Sequence, residues 1–225
     1  MENNEEYKHG GSPLKDLMRF GFDVRDVLDF SVNLNPLGPP ELIKHRWMEL
    51  LKSIQEYPSI EGDGISLYYR KKFRIPSRNF LSGNGSTEMI YLLPRVLRFR
   101  QVAVITPSYH DYERASLLAG AKVVRYPLNK DEDFSSPDVD EMVEAVKDVD
   151  ALWVGRPNNP TGSIFPKKII LELAVRFPDK YFLVDEAFIQ FVDDRQKESL
   201  LNEQPMPNIL VVHSLTKFYA LAGLR

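Results

Sequence analysis

Four short apolar runs dominate the second half of the chain: Val102-Ala103-Val104-Ile105, Ala151-Leu152-Trp153-Val154, Tyr181-Phe182-Leu183-Val184 and Ile209-Leu210-Val211-Val212. None alternates with polar residues. Runs of this kind need burial on both faces, which strands of a parallel sheet obtain from helices packed above and below. A fifth strand is expected at Lys122-Val123-Val124-Arg125-Tyr126, and helical patterns fall at 86–98, 111–119, 137–147 and 166–176. The alternation predicts an α/β fold, a three-layer αβα sandwich around a mostly parallel central sheet. Pro94 is expected to kink or split the first of those helices.

Upstream, an apolar stripe of Leu42, Ile43, Trp47, Leu50, Leu51 and Ile54 predicts a helix over 41–55, and a second is expected over 65–73. Residues 1 to about 40 are rich in turn formers, His9-Gly10-Gly11 and Asn33-Leu34-Asn35-Pro36-Leu37-Gly38-Pro39-Pro40. Such a stretch is expected to lie across the body of the protein instead of within its core.

Composition narrows the chemistry. The absence of cysteine removes disulfides, thiolate metal sites and cysteine nucleophiles. With 29 basic and 32 acidic side chains the formal charge is −3, which offers no basic field for a nucleic-acid backbone. The sequence starts Met1-Glu2-Asn3-Asn4-Glu5-Glu6, unlike a secretory leader, and no apolar run reaches membrane-spanning length. A cytoplasmic protein without a membrane partner is the expectation.

Ligands of open parallel sheets bind beyond the carboxyl ends of the strands. Tyr109, Asn159, Asp185, Ser214 and Lys217 all fall there. Gly83-Asn84-Gly85-Ser86-Thr87 precedes a helix and offers backbone N–H groups and hydroxyls to a phosphate, although Ser86 or Thr87 would cap a helix in any case. Asp185 beside Glu186 suits either a magnesium site or a carboxylate facing a protonated heterocycle. Read alone, Lys217 is a solvated lysine; together with an acidic strand end and a phosphate turn it becomes a Schiff-base candidate. Tyr109 suits a flat ring or simple core packing, and Asn159 suits a ring oxygen or a turn. Arg225 carries a planar fork suited to phosphate, and His9 stands in a segment too loose to act unless that segment folds over the site.

These residues, in order, resemble the signature of the pyridoxal-phosphate enzymes of fold type I, the aspartate aminotransferase superfamily. The resemblance runs through Asn33 to Gly38, Gly83 to Glu88, Pro157 to Gly162, Asp185-Glu186-Ala187-Phe188-Ile189, Ser214 to Ala220 and Gly223-Leu224-Arg225. Within the superfamily the sequence most resembles the threonine-phosphate decarboxylases of cobalamin biosynthesis, and next the histidinol-phosphate aminotransferases. His9-Gly10-Gly11 and the run Ser214 to Ala220 favour the former.

The resemblance implies pyridoxal 5′-phosphate as cofactor, with no metal. Lys217 and Asp185 would be catalytic, Lys217 bonding the cofactor's aldehyde and Asp185 pairing with its ring nitrogen. Asn159 would hold the 3′ oxygen and line the substrate side together with His9 and Asn33. Tyr109 would stack on the ring, while Gly85, Ser86, Ser214 and Arg225 would hold the phosphate. Tyr57 would reach that phosphate from a second subunit of a homodimer. Phe188 departs from the tyrosine of many aminotransferases, which removes one hydrogen bond to the ring oxygen.

The implied substrate is a small phosphorylated amino acid, decarboxylated by a lyase; transamination with 2-oxoglutarate is the alternative, and an inactive structural member of the family ranks below both. Residues 1–45 would cover the active site and 46–225 would form the cofactor-binding large domain. Family members continue well beyond the lysine into a small domain, so the expectation is a truncated chain, incomplete at its C-terminus and inactive when isolated.

Overall fold

The computed structural model describes residues 17 and 19–224. Its strands are β1 (Gln101–Thr106), β2 (Lys122–Pro127), β3 (Ala151–Gly155), β4 (Tyr181–Asp185) and β5 (Ile209–Val212). They pair in parallel in the order β2-β1-β3-β4-β5. The helices are α1 (Glu41–His45), α2 (Trp47–Leu50), α3 (Asp63–Phe73), α4 (Ser86–Leu97), α5 (His110–Leu118), α6 (Val139–Val146), α7 (Lys167–Arg176) and α8 (Arg195–Glu198). None of the described helices is long and apolar enough to cross a membrane.

The period-two geometry of the strands divides their side chains between two cores. Ala103, Leu152 and Phe182 stand in register and point to one face, where Met142 and Val146 of α6 and Ile170 and Leu173 of α7 cover them. Val104, Trp153 and Leu183 form the neighbouring row on the other face, beneath Ile90 of α4 and Tyr112 and Ala115 of α5. Each large side chain buried in this way contributes roughly 1.5–3 kcal/mol. The three-layer αβα arrangement expected from the apolar runs is therefore present.

From β1 the chain turns outward through α5 to the edge strand β2, then returns through α6 to β3 on the other side of β1. The loops after β1 and β3 consequently diverge, leaving a crevice at the topological switch point.

Two expectations differ from the structure. The helix over 41–55 is broken: α1 ends at His45, α2 starts at Trp47 after Arg46, and Leu51–Gln55 is a tight 3-10 turn. Its stripe residues Leu42, Trp47, Leu50 and Ile54 are exposed, so the described residues do not supply the packing that would hold a continuous helix. Pro94, in contrast, leaves α4 unsplit over Ser86–Leu97 and is itself buried.

A cleft of about 800 Å³ separates β5 from the extended segment Phe80–Gly83, with α3 and α4 on its flank. His213 lines it, its Nδ1 2.6 Å from the Tyr69 hydroxyl and its ring edge-on to Tyr69. Burial, helped by the Lys72 charge, lowers the His213 pKa to about 4. A base depressed in this way contributes stability that is present above its unfolded pKa, near 6.5, and is lost as pH falls through about 4. Between those limits the loss is roughly 2–3 kcal/mol. His213→Gln, which keeps a partner for Tyr69, is expected to flatten the fall of the urea midpoint between pH 7 and 4; parallel curves for the two proteins would disprove it.

Candidate active site

Strand ends set the site. Gly155, Asp185 and Val212 are adjacent in register at the carboxyl ends of β3, β4 and β5. The ladder continues one step further, with the Arg156 amide donating to the Asp185 carbonyl and the Glu186 amide to the Val212 carbonyl, both at 2.8 Å.

The Asp185 carboxylate is buried. Its Oδ2 accepts the Tyr112 hydroxyl at 2.9 Å and its Oδ1 accepts the Ala187 amide at 2.9 Å. Burial raises its pKa; those two hydrogen bonds and the Lys217 charge oppose the rise. Tyr112 is pressed flat against Trp153, with ring centroids 4.9 Å apart and planes at 7°. Gly155 makes room for this hydroxyl, because a Cβ there would lie 3.3 Å from it and 3.0 Å from the Asn158 side-chain oxygen.

Tyr109 caps α5 from the loop after β1 and is half-buried. Its phenol lies beside Asp111 and Thr87, and burial raises its pKa. Across the crevice, the loop after β3 is shaped by Asn158, whose Nδ2 donates to the Pro107 carbonyl and to Thr161 Oγ1, each at 2.9 Å. That bond ties the two diverging loops together. Asn159, next in sequence, is half-buried.

Gly85 precedes α4 with φ of 83°, a conformation that favours glycine, and no side chain caps the helix. The amides at this N-terminus keep their capacity for an anion. Gly85 and Ser86 line the same cleft as Ser214 and Thr216. Ser214 Oγ lies 2.9 Å from Thr216 Oγ1 and accepts the Thr216 amide at 3.3 Å, which closes the turn leading to Lys217. Asn35 fastens the far side of that turn: its amide donates to the Lys217 carbonyl at 3.1 Å and its Nδ2 to the Phe218 carbonyl at 2.8 Å.

The structure thus gathers Gly85, Ser86, Tyr109, Asp185, Ser214 and Lys217 around the carboxyl ends of the strands, with Asn159 on the adjoining loop. Tyr57 is fully exposed and Asn33 is exposed. His9 and Arg225 lie outside the described residues. Asp185 and Glu186 serve different networks, because the Glu186 carboxylate turns to Arg156, Ser199 and the Leu200 amide on the opposite face. Among the described residues no group of three or more potential ligands could hold a metal ion.

Tyr112, Arg156, Asn158 and Asn35 were missed by sequence reasoning. Asn35 and Asn158 fell within the motif segments Asn33 to Gly38 and Pro157 to Gly162, and Tyr112 stood three residues after Tyr109.

A family model described as aminotransferase class I and II matches residues 25–225. A threonine-phosphate decarboxylase of Salmonella typhimurium is 32% identical over 220 residues, covering 96% of this chain and 60% of the relative. A histidinol-phosphate aminotransferase of Cupriavidus pinatubonensis is 29% identical over 221 residues, covering 96% and 58%. The crystal structure of the histidinol-phosphate aminotransferase from Clostridium acetobutylicum superposes with a TM-score of 0.77 at 30% identity, over 88% of this chain and 59% of that one. The chain therefore spans about 60% of the length of these relatives.

Tyr112→Phe keeps the ring on Trp153 and deletes the hydrogen bond to Asp185. A bond to a charged acceptor contributes about 1.5–3 kcal/mol. Its loss is expected to raise the Asp185 pKa further, seen by carbon-13 NMR of the carboxyl in cofactor-free protein. Raised carboxylates lose their stabilising contribution as pH rises, so the stability deficit should be greatest at neutral pH and shrink on acidification. An unchanged Asp185 titration would refute the coupling.

Proposed function

The chain belongs to the class I and II aminotransferases, a family dependent on pyridoxal phosphate, and we propose that it carries the cofactor site of a decarboxylase for L-threonine O-3-phosphate. The observation that carries the cofactor site is Asp185, a carboxylate buried between Tyr112 and the Ala187 amide with the Lys217 charge nearby. Burial makes its ionised form costly, and a protonated ring nitrogen set against it would offset that cost. The donor set fits the remainder of the group: the amides that open α4 after Gly85, capped by no side chain, the Ser214 hydroxyl in the same cleft, and the Tyr109 ring at the neighbouring strand end.

When bound, the cofactor supplies an electron sink for the pair left on the substrate's Cα. Asp185 would keep the ring nitrogen protonated, and Asn159 would hold the 3′ oxygen. Gly85, Ser86, Ser214 and Arg225 would take the phosphate, together with Tyr57 of a second copy in a homodimer. Lys217 would hold the cofactor's aldehyde carbon in the resting enzyme and return a proton to Cα once carbon dioxide has left. His9 and Asn33 would face the substrate.

The product would be (R)-1-aminopropan-2-yl phosphate, within cobalamin biosynthesis. The similarity to the Salmonella decarboxylase and the run Ser214 to Ala220 support this reading. A second reading is transamination of histidinol phosphate with 2-oxoglutarate, supported by the similarity to the Cupriavidus aminotransferase.

The test offers O-phospho-threonine, with and without 2-oxoglutarate, to the uninterrupted gene product loaded with pyridoxal phosphate, while carbon dioxide and glutamate are followed together. Carbon dioxide release independent of the keto acid is expected, with Lys217→Ala lowering kcat about 10²–10⁴-fold. Glutamate without carbon dioxide would replace the decarboxylase by the aminotransferase.

A further inference from the structure

Arg156 is completely buried at the carboxyl end of β3, three residues before Asn159. Its guanidinium binds three separate segments. Nε donates to the Phe165 carbonyl at 2.6 Å, closing the loop that contains Asn158 and Asn159. Nη1 donates to the Glu198 carbonyl at 2.7 Å and to Glu186 Oε1 at 3.2 Å, and Nη2 donates to Glu198 Oε2 at 2.6 Å. Glu186, also completely buried, immediately follows Asp185 and accepts the Ser199 hydroxyl at 2.6 Å and the Leu200 amide at 2.9 Å.

Strand alternation sends the Glu186 side chain to one face of the sheet and that of Asp185 to the other. The Arg156 network therefore lies behind the site, with Phe165 and Leu200 of the α6 and α7 core around it. Its bonds nevertheless fix two quantities that matter in front: the position of the loop carrying Asn159 and the angle at which the chain leaves β4 after Asp185. A buried cation shared between carboxylates is a costly way to add stability alone, since apolar residues of similar volume often serve as well. A planar fork, however, sets direction as well as distance.

We infer that Arg156 is a positioning residue, whose guanidinium holds the Asn159 loop and the Asp185 strand end in one fixed relation across the sheet. The inference rests on the pyridoxal-phosphate reading above for its consequence in catalysis, but the relation between the two segments belongs to the protein itself.

The test compares the wild type with Arg156→Met and with the double variant Arg156→Met/Glu186→Gln. The single variant leaves a buried carboxylate without its cation, so a lowered urea midpoint is expected. The double variant removes the two fully buried charges, keeps an acceptor for the Leu200 amide and leaves without its cation only Glu198, which reaches solvent, so most of the lost stability should return. Catalysis should not return with it. Misplacement of reacting groups by about 1 Å costs on the order of 10²-fold, and a fall in kcat approaching that size is expected in the double variant. The pH midpoint of the bound cofactor's visible absorbance should also shift. In cofactor-free protein the Asp185 carboxyl should titrate lower than in the wild type, as looser strand ends admit water.

A stable double variant with wild-type kcat, absorbance midpoint and Asp185 titration would overturn the inference, as would one that fails to fold, which would assign Arg156 to stability alone. Wild-type protein that shows no cofactor absorbance dependent on Lys217 would instead overturn the cofactor reading; the Asp185 titration would then decide the positioning role by itself.

Discussion

A carboxylate buried at the end of a central strand has to be compensated, and most of the site follows from how Asp185 meets that requirement. In a parallel sheet covered on both faces, the strand ends are the one place where side chains from several loops converge without filling the core. Asp185 sits there with one oxygen held by Tyr112 and the other by the Ala187 amide. Two neutral donors and a nearby lysine only partly offset burial, and the carboxylate pKa stays raised. A cation set against it would offset the remaining cost of burial, and that is what the proposed protonated heterocycle would supply.

Much of this was legible in the sequence. The unbroken apolar runs announced a covered parallel sheet, and the ends of those runs located Tyr109, Asp185, Ser214 and Lys217 before any side-chain geometry was known. The reason is local: four consecutive apolar residues bounded by polar turns admit few arrangements, and the direction of each strand fixes where its carboxyl end lies. The expected helix over 41–55 failed for a complementary reason. Its apolar stripe was real, but a stripe forms a continuous helix only when something packs against it, and here Leu42, Trp47 and Ile54 face outward.

What the sequence could not convey were the bonds between segments far apart in the chain. Tyr112 and Asp185 are separated by 73 residues, and Asn35 and Phe218 by 183. Arg156 reads as an ordinary charged residue before a proline until the register of β3 and β4 brings it beside Glu186. Such pairs depend on strand order and register, which hydrophobic periodicity does not encode. The residues recognised from sequence were those that would touch a ligand; those found only from the structure hold the first group in place.

This division also bears on why decarboxylases and aminotransferases share the same architecture. In the proposed site Asp185, Lys217, Ser214 and the N-terminus of α4 would act on the cofactor, and such a cofactor can absorb electrons from whichever bond to Cα is broken. Selection between losing carbon dioxide and losing a proton then falls to contacts that orient the substrate's carboxylate and phosphate. Such contacts would belong to the open side of the crevice, beyond Tyr109 and Asn159, whereas the buried part behind it holds Trp153 against Tyr112 and Arg156 against Glu186. A sheet that fixes the electron sink and leaves substrate orientation to peripheral segments allows one fold to serve either reaction, because exchanging the peripheral contacts does not disturb the compensated carboxylate at its centre.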